Sequence, residues 1–415
     1  MATLTSGANQ EPNVVTAEFN PFAPGMLADP YAMYRELREQ APIYWSEMME
    51  SWVLTRYNDI DAVLMDGRFS SDRSRAETRF SQMMREQQEQ YGPMGNTQTM
   101  LTSDPPDHTR LRRLVSKAFT PRAVENLRPR IREVVEYVLA EAGDRGEFEI
   151  IHDLAYPLPV IVIAEMLGVP PEDRHRFKEW SDTVVATLGG PFTPPEAMDA
   201  GRKAIDELAE YFSHIIAERR AEPKEDLISG LIAAEEGGQV LSEDEIFATC
   251  ILLLIAGNET TTNLIGTSML ALFRNPDQMQ LLRDTPTLIS SAVEELLRYV
   301  GPVHGTGRVP KEDIEIAGHT FKPGEMVFTL IAAGNRDPAH YENPEQLDVT
   351  RNPTDHLAFG DGIHFCLGAP LARAEAQIAI GTLLQRFPKL RLLDEDPEWG
   401  GTFIIRGPKR LNVAV

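Results

Sequence analysis

Chemistry concentrates first at Cys366, inside the run Phe359-Gly360-Asp361-Gly362-Ile363-His364-Phe365-Cys366-Leu367-Gly368. The apolar-periodic stretch 369–387 follows directly and reads as a helix, so Cys366 is expected at a helix N-terminus. Free backbone amides and the positive end of the macrodipole favour a thiolate there, the form in which a cysteine binds metal. Gly360, Gly362 and Gly368 permit close backbone approach, so a flat group fits against the turn. Taken alone, the cysteine reads equally as a buried structural residue beside a Gly-rich loop.

Zinc suits this site poorly, because His364 is the one neighbouring ligand type and no Cys-x-x-Cys pair accompanies it. A thiolate acting as sole protein ligand suits haem iron, where its electron donation promotes O–O cleavage. A second constellation, Ala256-Gly257-Asn258-Glu259-Thr260-Thr261-Thr262, interrupts an otherwise apolar helical pattern. An acid beside an alcohol can order water and pass protons. The threonine hydroxyls, able to bond preceding carbonyls, are expected to open the helical ladder locally. The plainer alternative is that Thr260 to Thr262 satisfy one another in a helix interface and Glu259 is salt-bridged.

The two constellations resemble motifs of the cytochrome P450 family. The cysteine run matches every fixed position of F-x-x-G-x-x-x-C-x-G, and Ala256 to Thr260 match A-G-x-[DE]-T. Glu295 and Arg298 resemble the E-x-x-R motif, and His108 and Arg112 the H-x-x-x-R motif. The resemblance runs from about Phe22 to Val415. It implies a mainly α fold with small β-sheets, a triangular helical prism with haem b between the long central helix and the cysteine loop.

By the same resemblance Cys366 ligates iron, Phe359 packs near its sulfur, and Gly368 lies against the cofactor. His108, Arg112, Arg308 and His364 hold the propionates, and Ala256 and Gly257 line the distal face. Glu259 and Thr260 take the acid and alcohol roles, while Glu295, Arg298 and Arg351 hold the fold behind the cysteine loop. Family members driven directly by hydrogen peroxide commonly lose the acid-alcohol pair. Its presence favours dioxygen with two delivered electrons, and a peroxygenase or another haem-thiolate enzyme of specialised biosynthesis is the alternative. Mapped substrate contacts fall on 70–99, 184–188 with Leu188, Leu252, Ile255, Ala256, Val303, His304, Thr306, Phe403 and Ile404. They are mostly apolar, so a lipophilic steroid, terpenoid, macrolide or fatty acyl substrate is implied, with His304 and Thr306 as polar anchors.

These residues need a scaffold. Helical spacing marks 30–40, 121–143, 150–167, 174–188, 195–220 and 288–299. Ser242 and Glu245 form a capping box that opens a helix to about Arg274, roughly 33 residues or about 50 Å at about 1.5 Å per residue. Two short strands are expected around a turn at 46–51, and further strands within 314–330, broken at Gly318 and at Pro323-Gly324. The polar stretch 70–99 reads as irregular, a candidate lid, and 189–193 as a second hinge.

Composition sets the remaining bounds. The 415 residues, 42% hydrophobic, suffice for one large core, expected as a single domain over 21–415 behind a flexible tail at 1–20. With two cysteines, no signal-peptide pattern and no long apolar run, a cytoplasmic protein without a membrane span is expected. A net charge of −23 argues against nucleic acid and anionic membrane as partners. Against it, 108–122 carries Arg110, Arg112, Arg113, Lys117 and Arg122 with no acid. No flavin or iron-sulfur module fits the length, so electrons are expected from an acidic ferredoxin or flavodoxin with its reductase. The docking residues would be Arg110, Arg113 and Lys117.

Overall fold

The computed structural model describes residues 19–90, 97, 99–144, 146–185, 187, 195–236 and 238–415. Most of the expected tail, the whole of the second hinge and Leu188 lie outside them. Helices dominate, and the longest, Glu243–Arg274, forms the axis of the molecule. Its start is fixed chemically: the Ser242 hydroxyl accepts from the Glu245 amide at 3.2 Å and the Glu245 carboxylate from the Ser242 amide at 2.9 Å. Leu253, Leu254, Leu264, Ile265, Met269 and Leu272 are buried around its circumference, as expected of a helix enclosed on all sides. It packs on Pro157–Met166, Ile289–Val300 and Ala369–Arg386, and the last of these also packs on Pro121–Asp144.

The largest sheet orders its strands Ile43–Ser46, Ser51–Leu54, Met326–Thr329, Thr306–Pro310 and Phe69–Ser70. Only the pairing of Ser51–Leu54 with Met326–Thr329 is parallel. The hairpin strands and the turns at 317–318 and 323–324 fall where the sequence places them. Smaller sheets join Arg391–Leu392, Asn412–Ala414 and Glu147–Glu149, and Trp399–Gly401 with Arg406–Pro408.

Three expectations need correction. The single helix over 150–167 is divided: Ile151–Ala155 is π-helical, with the Tyr156 amide donating to Ile151 O at 2.9 Å, and Pro157–Met166 is α-helical. Pro157 and Pro159 have no amide hydrogen to extend the first ladder into the second. Within 70–99, a 3₁₀ turn Arg73–Arg75 and a helix Arg79–Gln90 stand where irregular chain is expected. The Thr78 hydroxyl accepts from the Ser81 amide at 3.0 Å, a cap the polar sequence hides because no apolar stripe follows it. Finally, Tyr57–Met65, Leu227–Ala233 and Pro276–Asp284 are helices too short to declare their period.

Candidate active site

The cysteine loop folds as a 3₁₀ turn Leu357–Phe359, two glycines of positive φ and a second 3₁₀ turn Gly362–His364. At Gly362, with φ +67°, an added Cβ would lie 2.6 Å from Leu64 O, so only glycine lets the loop seat on the Tyr57–Met65 helix. The Cys366 amide donates to Phe359 O at 2.9 Å, closing the loop. Ala369–Arg386 begins three residues on, with Gly368 as its cap.

The Cys366 side chain is accessible, yet protein surrounds it, so the sulfur faces an internal space. Burial pushes the thiol up from its ordinary value, while the amides of Gly368 and Ala369 and the charges of Arg112 and Arg373 pull against it. Burial wins. The helix N-terminus alone therefore does not bring this thiol to the thiolate side.

Midway along the central helix the burial pattern breaks. Ala256 is exposed, and an added Cβ at Gly257 would meet nothing within 4 Å, so this face borders open space inside the molecule. The helical ladder is nevertheless continuous from Glu243 to Arg274, which corrects the expected opening. The Thr260 hydroxyl donates to Ala256 O at 2.7 Å without displacing it. The three threonines do not satisfy one another. Thr262 donates to Ala155 O at 3.1 Å, and Thr261 hydrogen-bonds Glu375 on the helix that Cys366 leads into.

Glu259 has no ion pair among the described residues, and burial pushes its carboxyl up to about 7. Asn258 ties this segment to the Arg174–Val185 helix by donating to the Ser181 hydroxyl at 3.1 Å. Glu375 is buried with one oxygen unpartnered, and burial pushes it up to about 8.

Cations gather near the cysteine. His108 is 3% exposed and neither ring nitrogen has a partner. Its ring lies 4.2 Å from that of His364, whose pKa falls to about 4 through burial and the proximity of His108 and Arg308. Arg308, on Thr306–Pro310, bonds among the described residues to its own strand, at Thr306 Oγ1 (3.3 Å) and Gly307 O (2.9 Å). Burial pulls it down to about 10, with Arg73 adding repulsion. Arg112 feels the Cys366 charge and makes no hydrogen bond or ion pair among the described residues. The acid nearby, Asp104, is held by the Ser70 hydroxyl at 2.5 Å and the Ser71 amide at 3.0 Å.

Unpaired buried guanidinium groups and orphaned imidazole nitrogens are costly unless an anion completes them. A flat group carrying two carboxylates, laid over Cys366, fits this set. Arg73 was missed by sequence reasoning. It follows strand Phe69–Ser70, which pairs with Val309 and Pro310, and only that pairing reveals it.

The structural trio assembles as expected. Arg298 forks onto Glu295 with two bonds of 2.7 Å and reaches the carbonyls of Asn335, Pro344 and Gln346, while Arg351 meets Glu295 at 3.2 Å. Other calls fail. Both ring nitrogens of His304 are engaged, Nδ1 with the Tyr34 hydroxyl at 3.0 Å and Nε2 by Arg406 Nε at 3.0 Å, so it cannot anchor a substrate. Phe403 packs edge-on against Phe22 at 5.5 Å and tilted against Phe328 at 5.6 Å, and Ile404 joins the same cluster. Both belong to the packing around the N-terminal helix. Arg110 is clamped on the capping-box carboxylate of Glu245 and is not an open docking charge. Arg113 and Lys117 are exposed. Leu252 and Ile255 are part-buried beside Ala256, Val303 bridges Ile405, and Thr306 is part-buried next to Arg308.

The cytochrome P450 family model matches residues 26–285 and 279–400. A curated relative, cytochrome P450 CYP107DY1 of Priestia megaterium, is 43% identical over 390 residues, covering 91% of this chain and 93% of that protein. Among solved structures, the cytochrome P450 PksS of the Bacillus subtilis 168 bacillaene polyketide synthase superposes with a TM-score of 0.87 at 40% identity, covering 95% of this chain and 99% of that one. CYP109E1 from Bacillus megaterium in complex with testosterone gives 0.83 at 38% identity, over 93% and 99%.

Proposed function

The chain belongs to the cytochrome P450 family, whose members are monooxygenases, and from that membership we propose that it inserts one oxygen atom from dioxygen into a lipophilic small molecule. The observation that carries the reading is the set of orphaned imidazole nitrogens and arginines without an anionic partner near Cys366, together with an open face on the central helix at Ala256 and Gly257. Haem b, when bound there, supplies dioxygen activation, and thiolate ligation promotes O–O cleavage.

The chain's residues divide the remaining work. Cys366 would hold the iron through its sulfur, with Phe359 and Gly368 beside it. Arg112 and Arg308 would neutralise the cofactor's carboxylates, His108 and His364 would donate hydrogen bonds to them, and Arg73 adds a fifth partner. Glu259, half-protonated near neutral pH, exchanges protons with water at its carboxyl oxygens. Thr260 turns its hydroxyl between Ala256 O and the open space beside Gly257. Leu252, Ile255, Ala256 and Val303 exclude water and receive the substrate's apolar surface, with Thr306 as polar contact. Glu295, Arg298 and Arg351 keep the scaffold behind the loop rigid.

The related structures named for a polyketide synthase and for a testosterone complex support a lipophilic polyketide or steroid-like molecule as substrate. Electrons come from an acidic ferredoxin or flavodoxin with its reductase, steered by Arg113 and Lys117. We further propose a cytoplasmic enzyme with one catalytic domain over 21–415; no helix among the described residues is long and apolar enough to cross a membrane. The test is a lipophile screen for water displacement from ferric iron, then turnover under isotopically labelled dioxygen with a surrogate ferredoxin pair. One labelled atom in the product is expected. Turnover with peroxide and none with reduced partner would overturn the dioxygen route.

A further inference from the structure

Outside the reacting space, Arg373 and His356 flank Phe359 and are joined to each other by Glu294. Arg373 lies on the helix that follows the cysteine loop, and its guanidinium stands 4.6 Å over the Phe359 ring. The same guanidinium forks onto Glu294, from Nε at 2.7 Å and Nη2 at 2.8 Å. His356 Nε2 meets Glu294 Oε2 at 3.1 Å, and the His356 ring lies 5.8 Å from Phe359, tilted by 46°. His356 Nδ1 accepts from the Ala358 amide at 3.3 Å, so Nε2 carries the hydrogen and donates to Glu294.

The charges in this group balance, one carboxylate against one guanidinium. Glu294 holds its negative charge firmly, since Arg373 and His356 outweigh burial and bring its carboxyl down to about 2. Arg373 is also one of two arginines whose charge reaches Cys366. Glu294 and Glu295 are neighbours on one helix but serve opposite sides: Glu295 pins Arg298 and Arg351, and Glu294 turns to the cysteine loop.

A buried ion pair is a weak source of stability, because apolar side chains of equal volume would pack there at lower desolvation cost. Its retention beside the sulfur-bearing loop calls for an electrostatic reason. Resting on the haem-thiolate reading above, we propose that Glu294, Arg373 and His356 are positioning residues that clamp Phe359 against the Cys366 loop and set the reduction potential of the iron. Glu294 shares the positive charge of Arg373 with the sulfur, and removing either partner moves the potential in opposite directions.

The experiment is a spectroelectrochemical titration of the haem-loaded protein as wild type, Glu294→Gln, Arg373→Gln and the double variant. The carbonyl-bound ferrous spectrum of the wild type is recorded first, and failure to show thiolate ligation there would sink the parent reading and this one with it. With ligation established, Glu294→Gln raises the ferrous-to-ferric ratio at a fixed poise by roughly threefold or more, Arg373→Gln lowers it by a similar factor, and the double variant returns toward wild type. Shifts of the same sign in both single variants, or none, overturn the proposal. So does loss of haem by both single variants that the double variant fails to restore, which makes the group a purely structural brace.

Discussion

Glu375 offers the sharpest energetic test of the architecture between the two site-bearing helices. It is 1% exposed, one carboxyl oxygen lacks a partner, and the other oxygen's neighbour is a neutral hydroxyl, Thr261. Burial raises its pKa from 4.5 to about 8. A carboxyl whose folded pKa lies above its unfolded value stabilises fully below the unfolded pKa, and that contribution is lost as pH rises through the folded one. Each pH unit in that window costs about 1.4 kcal/mol, so the native state loses about 3 kcal/mol by pH 7 and about 4 kcal/mol by pH 8.

The isosteric Glu375→Gln variant has no proton to lose. Urea unfolding of the haem-loaded wild type and variant, followed by far-ultraviolet circular dichroism between about pH 5 and about pH 8, isolates the linkage. The two proteins are expected to match near pH 5, and the variant to pull ahead steadily toward pH 8. A stability gap that stays constant with pH, or a wild type that gains on the variant above neutrality, would refute the reasoning. Glu375 would then be ionised in the native state.

Other expectations follow from the same geometry. Because the Glu259 acid form disappears as pH rises through about 7, coupled turnover is expected to fall along that limb. Glu259→Gln should flatten the limb and lower kcat by about a hundredfold, measured as product per dioxygen consumed across pH. Glu295→Ala leaves Arg298 buried and uncompensated, with an expected loss of about 3 to 5 kcal/mol in denaturant unfolding and poor haem retention. Arg113→Glu with Lys117→Glu should slow reduction by an acidic donor and weaken its salt dependence, whereas Arg110→Ala should lower stability with little change in docking. Stopped-flow reduction over a range of ionic strength separates the two.

The sequence displays the parts of the site that are local. The Cys366 loop, the Ser242–Glu245 box and the Glu295/Arg298 pair each lie within a few residues, so spacing alone exposes them. What stays hidden is made by distant pairing. Arg73 joins the cationic group only because Phe69–Ser70 adds to the sheet beside Arg308. Glu294 meets His356 and Arg373 across 62 and 79 residues, and His304 is captured by Tyr34 and Arg406 across 270 and 102. Without those partners on view, His304 reads as a substrate anchor and Arg110 as an open charge. The helix at Arg79–Gln90 escapes for a different reason: Phe80, Met83 and Met84 give it a single apolar turn, and the rest of its sequence is polar.

The central claim is that Cys366 binds haem iron through sulfur in the space opposite Ala256 and Gly257. Its most direct test is the spectrum of the reduced, carbonyl-bound protein reconstituted with haem. The long-wavelength Soret band of thiolate ligation is expected in the wild type, absent in Cys366→Ala and moved to the imidazole position in Cys366→His. A wild-type spectrum of the imidazole type, or a thiolate band that survives Cys366→Ala, would contradict the account.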